Sequence, residues 1–511
     1  MPRLDIAVIM LTMTLLRLNR SMRLFGASDG GGAKRMLVSD LIGRKKSRDR
    51  EGLGKPKGAM LPKYELVRHQ LSGLPTSDPY LVLGIETSCD DTGVAIVSSN
   101  GSILANVVYS QYEMHERFGG VVPSLAMESH KSNIDKAIVQ ALEKAGLRSL
   151  SEIDAVAVTR GPGLEICLRV GCRKAQAIAM EYDKPFVTVH HLEAHCLIAR
   201  LAGVEITEES TSQSSNNTTS MDRSFAFQPK VDFPFLVFLA SGGHTSIMLC
   251  HGVGDFRLLG GTLDDALGEA FDKAARLLGL RLSGSGGAAV EALARSGNPY
   301  AYRSFLKVPM RDRIDCDFSY AGMKSSFRLA VVAARAAAGI TDESKLRSTN
   351  APANQMEESP EPVELPVEVA ADLCASFQDV AFQHVEDRLN RALDYIDDNE
   401  VPISALVVVG GVAANLELRR RLLLLLRARE EGSGRSVPLV FPPVGLCTDN
   451  GVMAAWGGVE KLALGISDSA EGQEVQARWP LGEALHPTFR RPLSRREREA
   501  QGRAGGRKSG N

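Results

Sequence analysis

Unbroken apolar runs of strand length recur along the chain, and two of them lead into polar, glycine-bearing tips. Tyr80-Leu-Val-Leu-Gly-Ile-Glu reads as a buried strand, Thr87-Ser-Cys-Asp-Asp-Thr-Gly as a turn rich in hydroxyls and acids, and Val94-Ala-Ile-Val as a returning strand, together a β-hairpin. Phe235 to Ala240, Ser241-Gly-Gly-His-Thr and Ser246 to Cys250 repeat that order, which reads as a degenerate internal duplication. Elsewhere strands and helices alternate. Ser129 to Ala145 has helical periodicity and ends at Gly146, a favoured residue just past a helix. Ala155 to Thr159 is a strand, a helix follows from about Leu168 to Glu181, and Pro185 to His190 is a strand leading into Val189 to Ile198. Leu263 to Leu280 is an amphipathic helix or helix pair broken by Gly284-Ser-Gly-Gly, and a long helix runs from about Val369 to Ile396. Ala405 to Val409 then enters Gly410-Gly-Val-Ala-Ala-Asn, a helix opens near Leu416, and Leu439 to Leu464 holds a Pro/Gly-rich loop and a last helix. The alternation predicts an α/β protein with each sheet covered on both faces.

Composition places the chain among globular proteins: 511 residues, 44% hydrophobic, net charge -1. The charge is uneven, since residues 1–80 carry 15 Lys and Arg against 7 Asp and Glu. Arg3, Arg17, Arg20 and Arg23 flank an apolar run, Ile6 to Leu16, too short for the roughly 20 residues that a membrane span needs. That pattern resembles an organellar presequence, and without a small-residue cleavage site a secretory signal is the weaker reading. We therefore expect a presequence and linker over 1–79, insertions near 205–230 and 338–367, and a disordered basic tail over 486–511. The eight Cys are scattered without a C-x-x-C pair, which excludes a disulfide framework, a zinc ribbon and an iron–sulfur cluster.

The candidate chemistry begins at Val189 to Ile198. Residues four apart on a helix lie about 400° round its axis, so His191 and His195 share a face and their imidazoles can converge on one ion. His190 lies about 140° away from His195 and should pack or hydrogen-bond nearby. Two His and a carboxylate leave open positions suited to iron or zinc, and Asp449, on a Gly-bounded loop, is the candidate third ligand. A zincin-type protease is disfavoured because Leu192 follows His191 and Glu193 stands one position too far on for the general base. Three Gly-rich turns, Thr87 to Gly93, Ser241 to Thr245 and Gly410 to Asn415, let a backbone approach a phosphate closely, which suggests a nucleotide in a cleft between two related lobes.

Seven blocks in order, GIETSCDDTG (84–93), VPSLAMESHK (122–131), HHLEAH (190–195), SGGHT (241–245), GEAFDKAARLLGL (268–280), GGVAAN (410–415) and CTDNG (447–451), resemble the signature of the tRNA N6-adenosine threonylcarbamoyltransferases. This is the TsaD-like family, once labelled O-sialoglycoprotein endopeptidases. The resemblance covers residues 81–480, and the N-terminal extension is similar to the mitochondrial branch. It implies an actin/Hsp70-like (ASKHA) duplicated two-lobe fold with a central cleft. Lobe I would span 80–233 with 441–485 returning to it, and lobe II 234–440. It further implies transfer of the threonylcarbamoyl group from L-threonylcarbamoyl-AMP, supplied by a separate synthase, to N6 of the adenosine at position 37 of ANN-decoding tRNAs. The other partner expected is a second copy of the chain in a homodimer, in mitochondria, with no membrane.

Carried over block by block, His191, His195 and Asp449 hold one divalent metal ion, iron or zinc. Ser241, Gly242, Gly243, His244 and Thr245 cradle the phosphate and carbamoyl region, and Asp272, Gly287, Glu291 and Asn415 hold the nucleoside. Thr87, Ser88 and Asp90 form the opposing catalytic wall; on chemical grounds, apart from the resemblance, Asp90 or Asp91 is the candidate acceptor of the N6 proton. The family's Tyr-Pro-Gly-Gly segment is replaced by Leu282-Ser-Gly-Ser-Gly-Gly, so the register there is anchored on Val290-Glu291. The rival class is a nucleotide-dependent, chaperone-like module of the same fold, which would not need the His-His-Asp set.

Overall fold

The computed structural model describes residues 79–116, 118, 120–201, 231–280, 285–340 and 365–485, all within the compact unit Val67–Asn511. Almost all of the expected presequence and linker, most of both insertions and the basic tail lie outside them. Among the described residues no helix is long and apolar enough to cross a membrane.

The first lobe is built on a five-stranded sheet in the order β3-β2-β1-β4-β5, with β1 at Leu81–Glu86, β2 at Asp91–Ser98, β3 at Ile103–Ser110, β4 at Ala155–Gly161 and β5 at Phe186–His190. β1 pairs antiparallel with β2 and β2 with β3, whereas β1–β4 and β4–β5 are parallel. The second sheet repeats this plan. β6 (Phe235–Ala240), β7 (Thr245–Gly252) and β8 (Asp255–Gly261) form the antiparallel part, β9 (Leu406–Val409) and β10 (Leu439–Val440) the parallel part, and β11 (Glu483–Ala484) is added at the β8 edge. The strand order β8-β7-β6-β9-β10 matches β3-β2-β1-β4-β5, so the two expected hairpins are the first halves of three-stranded meanders. This is the duplicated two-lobe α/β fold that the resemblance implies. The third meander strands were not foreseen, because Ile103–Ser110 and Asp255–Gly261 are partly exposed edge segments without a solid apolar run.

Helices α1 (Tyr112–Glu116), α2 (Pro123–Ala145), α3 (Glu165–Glu181) and α4 (His191–Leu197) belong to the first lobe. α2 starts six residues before its periodic part, with Pro123 in its first turn, and ends at Gly146 in the left-handed conformation at φ 71. α5 (Leu267–Leu277), α6 (Gly286–Ala294), α7 (Ala321–Ala337), α8 (Val367–Asp398) and α9 (Leu416–Ser433) cover the second sheet, and α10 (Gly451–Ala463) returns to the first. Ser285 accepts a hydrogen bond from Ala288 N and so starts α6 inside the expected breaker.

Three cores result. Ile134, Ala137 and Ile138 of α2 and Ala175 and Ile178 of α3 close one face of the first sheet. Phe271, Phe327, Phe377 and Phe382 lead the cover of the outer face of the second. Between the sheets lies the third. There Val82, Ala157 and Val189 on one side and Val237, Leu239 and Val407 on the other enclose Leu192, Ala194 and Cys196 of α4 and Val452, Met453 and Trp456 of α10. The C-terminal segment keeps to the first lobe through Asp468, whose carboxylate accepts from Thr188 N at 2.7 Å and Thr188 Oγ1 at 2.8 Å. Glu483-Ala484, expected in the first lobe, instead pair in parallel with Arg257-Leu258 of β8, because that edge offers unpaired backbone groups.

The α10 N-terminus meets the first hairpin without room for a side chain. A Cβ on Gly84 would lie 2.3 Å from Gly451 O and 2.4 Å from Ala455 N. Gly84→Ala should therefore destabilise the protein by about 1–3 kcal/mol or more. Gly432→Ala, a helix position where a Cβ meets nothing within 4 Å, should stabilise slightly. Thermal unfolding of the two variants checks the contrast, and equal melting temperatures would contradict it.

Candidate metal centre and the facing loop

The buried strand β5 delivers the chain to α4 at the inner end of the first sheet. His190 caps that helix: its Nδ1 accepts from Leu192 N at 3.1 Å, and its Nε2 donates to Trp479 O at 2.9 Å. Its ring packs on Trp479 with centroids 4.6 Å apart. Burial, only partly opposed by the Trp479 hydrogen bond, lowers its pKa to about 3, so it stays neutral and fit to cap.

With His190 so engaged, His191 and His195 point together. His195 Nε2 lies 3.0 Å and His191 Nε2 3.7 Å from Asp449 Oδ1. One ligand atom from each of the three residues lies within 4.8 Å of the others. Asp449 reaches them because Asn450 caps α10, accepting from Met453 N and donating to Thr448 O at 2.7 Å. Gly451 packs so closely on β2 that a Cβ would sit 2.4 Å from Ala95 N. Burial would raise the Asp449 carboxyl, but His191, His195 and His244 hold it below the usual carboxylate range. Burial would likewise lower His191, yet Asp449 and Glu86 raise it to about 9.

The donor set suits a divalent ion. His191 Nδ1 sits 3.2 Å from Ser88 Oγ and 3.4 Å from Glu86 Oε2, an outer carboxylate of the sort that fixes a ligating imidazole's tautomer. Glu86 is fully buried and also accepts from Ser88 N at 2.5 Å and from Thr159 Oγ1. Sequence reasoning passed over it, although an acid closing an otherwise apolar strand was the available signal. The side chain of Asp449 stays 23% exposed, which leaves the centre open on one side.

The Ser241–Thr245 loop stands beside the centre, with the His244 ring 6.4 Å from that of His191. Ser241 N donates to His244 O at 2.8 Å, Ser241 Oγ accepts from His244 N at 3.1 Å, and Thr245 Oγ1 accepts from Leu267 N at 2.8 Å. The two hydroxyls thus shape the loop. Gly242 and Gly243 are exposed and a Cβ there would meet nothing within 4 Å, so a ligand can reach their backbone. Burial, reinforced by His191 and His195, lowers His244 to about 4 and leaves it neutral.

The four expected nucleoside residues group at the starts of α6 and α9. Asp272 accepts from Gly286 N and Gly287 N, and burial raises its pKa. Glu291 Oε1 accepts from Leu416 N at 3.0 Å, and Asn415 caps α9 through Leu418 N while donating to Gln378 at 3.1 Å. On the opposing wall the structure corrects one residue. The Thr87 side chain is fully buried away from the cleft, donating to Cys167 O at 3.0 Å and accepting from Gly171 N at 3.2 Å, because α3 packs there against the end of β1. Ser88 does face His191, and Asp90 and Asp91 remain partly exposed beside it.

The tip carrying these acids is held from behind by His130, whose Nε2 donates to Cys89 O at 3.0 Å while its Nδ1 lies 2.8 Å from Thr92 Oγ1. Among the described residues Lys131 pairs with Glu128, Lys273 and Lys324 with Asp265, and Arg313 with Asp315.

The chain is similar to known proteins over most of its length. The family model described as TsaD, tRNA N6-adenosine threonylcarbamoyltransferase, matches residues 102–209 and 218–456. A probable mitochondrial tRNA N6-adenosine threonylcarbamoyltransferase of Arabidopsis thaliana is 41% identical over 428 residues, 81% of this chain and 78% of the relative. The tRNA N6-adenosine threonylcarbamoyltransferase of Granulibacter bethesdensis is 40% identical over 403 residues, 79% of this chain and 94% of the relative. Among solved structures, T. kodakarensis HypF aligns at TM-score 0.39 and 14% identity, over 78% of this chain and 50% of that one, too weak a likeness to carry an argument.

Asp91 is pushed up to about 7, by burial first and then by Asp90, with a Ser110 hydrogen bond opposing and Asp449 and Glu86 adding. Its folded value lies above that of the unfolded chain, so it favours the fold in its protonated form. That contribution is complete below about pH 4 and disappears as pH rises through about 7. Asp91→Asn should thus gain stability over the wild type as pH rises from 5 to 8, by up to about 3 kcal/mol. Melting curves across that range check it, and a gap that shrinks with pH would contradict it.

Proposed function

The chain belongs to the tRNA N6-adenosine threonylcarbamoyltransferase family, and from that premise we propose that it moves the threonylcarbamoyl group of L-threonylcarbamoyl-AMP onto N6 of the adenosine at position 37 of ANN-decoding tRNAs. It is a transferase that acts on tRNA. The observation carrying the finer reading is the convergence of His191, His195 and Asp449 opposite the open Ser241–Thr245 loop. A separate synthase supplies the donor, the active form is a homodimer, and the place of action is the mitochondrion, a reading supported by the name of the Arabidopsis relative.

In this reading His191, His195 and Asp449 hold one divalent ion, iron or zinc, which supplies Lewis-acid polarisation of the bound donor. The chain's own part is positioning and charge handling. Gly242 and Gly243 offer backbone N–H groups to the phosphate, and neutral His244 offers a ring donor to the carbamoyl region. Asp272, Gly287, Glu291 and Asn415 border the nucleoside. N6 attacks the carbamoyl carbon, the new N–C bond forms as the C–O bond to phosphate breaks, and AMP leaves with the bonding pair. The N6 proton passes to a carboxylate of the acid tip, Asp90 or Asp91. Asp91 is pushed up to about 7, a value matched to that task.

Two rivals fare worse. A nucleotide-driven binding module of this fold has no use for the His-His-Asp set. A metalloprotease would need Glu193 as base, and that carboxylate is taken by Gly254 N and Lys461.

The test is to incubate metal-replete protein with threonylcarbamoyl-AMP and unmodified tRNA, digest the tRNA and assay the nucleoside. Its absence would overturn the proposal. Chelation should abolish transfer, and readdition of Zn2+ or Fe2+ should restore it. Glu86→Gln should weaken Co2+ binding by about 10- to 100-fold, as loss of an outer-shell partner does, and Asp449→Ala should weaken it more. Titration by visible absorption of bound Co2+ reads both, and unchanged binding in Asp449→Ala would remove it from the ligand set.

A further inference from the structure

Glu193 lies in the His-rich block but has no part in the chemistry above. It is 2% exposed. Its Oε1 accepts from Gly254 N at 2.6 Å, and its Oε2 lies 3.3 Å from Lys461 Nζ. Gly254 belongs to the β7–β8 turn of the second lobe and sits at φ 76, a left-handed geometry that glycine favours. Lys461 is on α10 and also donates to Thr188 O at 2.9 Å, beside the start of α4. One buried carboxylate therefore ties the metal helix to both lobes.

The strand between these points makes the tie consequential. β7 runs from Thr245 to Gly252, so the loop facing the metal ligands enters it and the turn held by Glu193 leaves it. An eight-residue strand paired on both sides is stiff. Fixing its far end to α4 fixes where the near end meets His191.

We infer that Glu193 is a positioning residue, which by holding the β7–β8 turn to the helix of His191 and His195 sets the Ser241–Thr245 loop in register with the metal ligands. The inference rests on the functional reading above. The metal ligands all come from α4 and the α10 cap, on the first lobe's side, whereas the loop is carried by the second. Loss of the tie should accordingly misalign the two without dismantling the ion's site.

Two double variants isolate the Gly254 bond. Both carry Lys461→Met, so that no buried ammonium is orphaned. Glu193→Gln keeps an acceptor oxygen for Gly254 N–H, and Glu193→Leu removes it. Relative to E193Q/K461M, E193L/K461M should show amide exchange at Gly254 at least about 10-fold faster. Its Co2+ affinity should stay within about 3-fold, and its kcat for transfer should fall by about 10- to 100-fold, the scale of a sub-ångström to 1 Å misplacement. Equal kcat in the two variants despite faster exchange would overturn the inference. So would a loss of Co2+ affinity matching the loss of rate, which would mean that Glu193 merely holds α4 together. A wild type inert in transfer would sink the functional reading alone. The coupling would then be decided by exchange at Ser241–Thr245, which should rise in E193L/K461M and not in E193Q/K461M, and unchanged exchange there would refute it.

Discussion

Everything at the candidate centre depends on one constraint, the filling of the space between two sheets by two helices. α4 and α10 must present apolar faces both ways, and they do so through Leu192, Ala194, Cys196, Val452, Met453 and Trp456. Their polar ends have no such freedom. The N-terminus of α4 and the cap of α10 meet at the rim of this layer, and the groups that cannot be buried without partners gather there: His190, His191, His195, Asp449 and Asn450. Burying an imidazole or carboxylate costs free energy unless most of its hydrogen bonds are made. The centre is thus the polar seam of an apolar joint.

The seam also explains the electrostatics. Glu86, Asp91 and Asp449 crowd one region of the first lobe, and each is handled differently. Asp449 is held below the usual carboxylate range by the histidines, and Glu86 receives Ser88 N, Thr159 and His191. Asp91 has one buried oxygen without a partner and rises instead. Burial first, and then the neighbouring acids led by Asp90, leave this one carboxylate poised near neutrality beside the centre.

Much of this was legible in the chain. Strand runs gave β1, β6 and β9, periodicity gave α2 and α8, and the repeat of apolar run, tip and apolar run revealed the duplication. His191 and His195 followed from helical spacing alone. Asp449 did not, since 254 residues separate it from His195 and no local pattern encodes that meeting. It could be named only as an acid on a Gly-bounded loop. Thr87 was carried over with its block by resemblance, whereas the partners that capture it, Cys167 O and Gly171 N, arrive with α3 from elsewhere. The edge strands were hidden by partial exposure. Tertiary contact decides what local pattern leaves open.

The duplication was then used asymmetrically. The tips after β1 and β6 occupy equivalent places, yet the first is sealed: Thr87 and Ser88 are buried, Gly84 and Gly93 abut Gly451, and His130 braces Cys89 from behind. A tip packed so tightly can hold carboxylates at fixed positions but cannot admit a phosphate. The second is backed by Gly268, where a Cβ would strike Ser241 O at 2.6 Å, while its own Gly242 and Gly243 face open space. That tip can receive an anion and carries no acid to repel one. In the proposed transfer, divergence between two copies of one turn would separate a proton-accepting side from an anion-receiving side, and the layer between the sheets would keep the two facing each other.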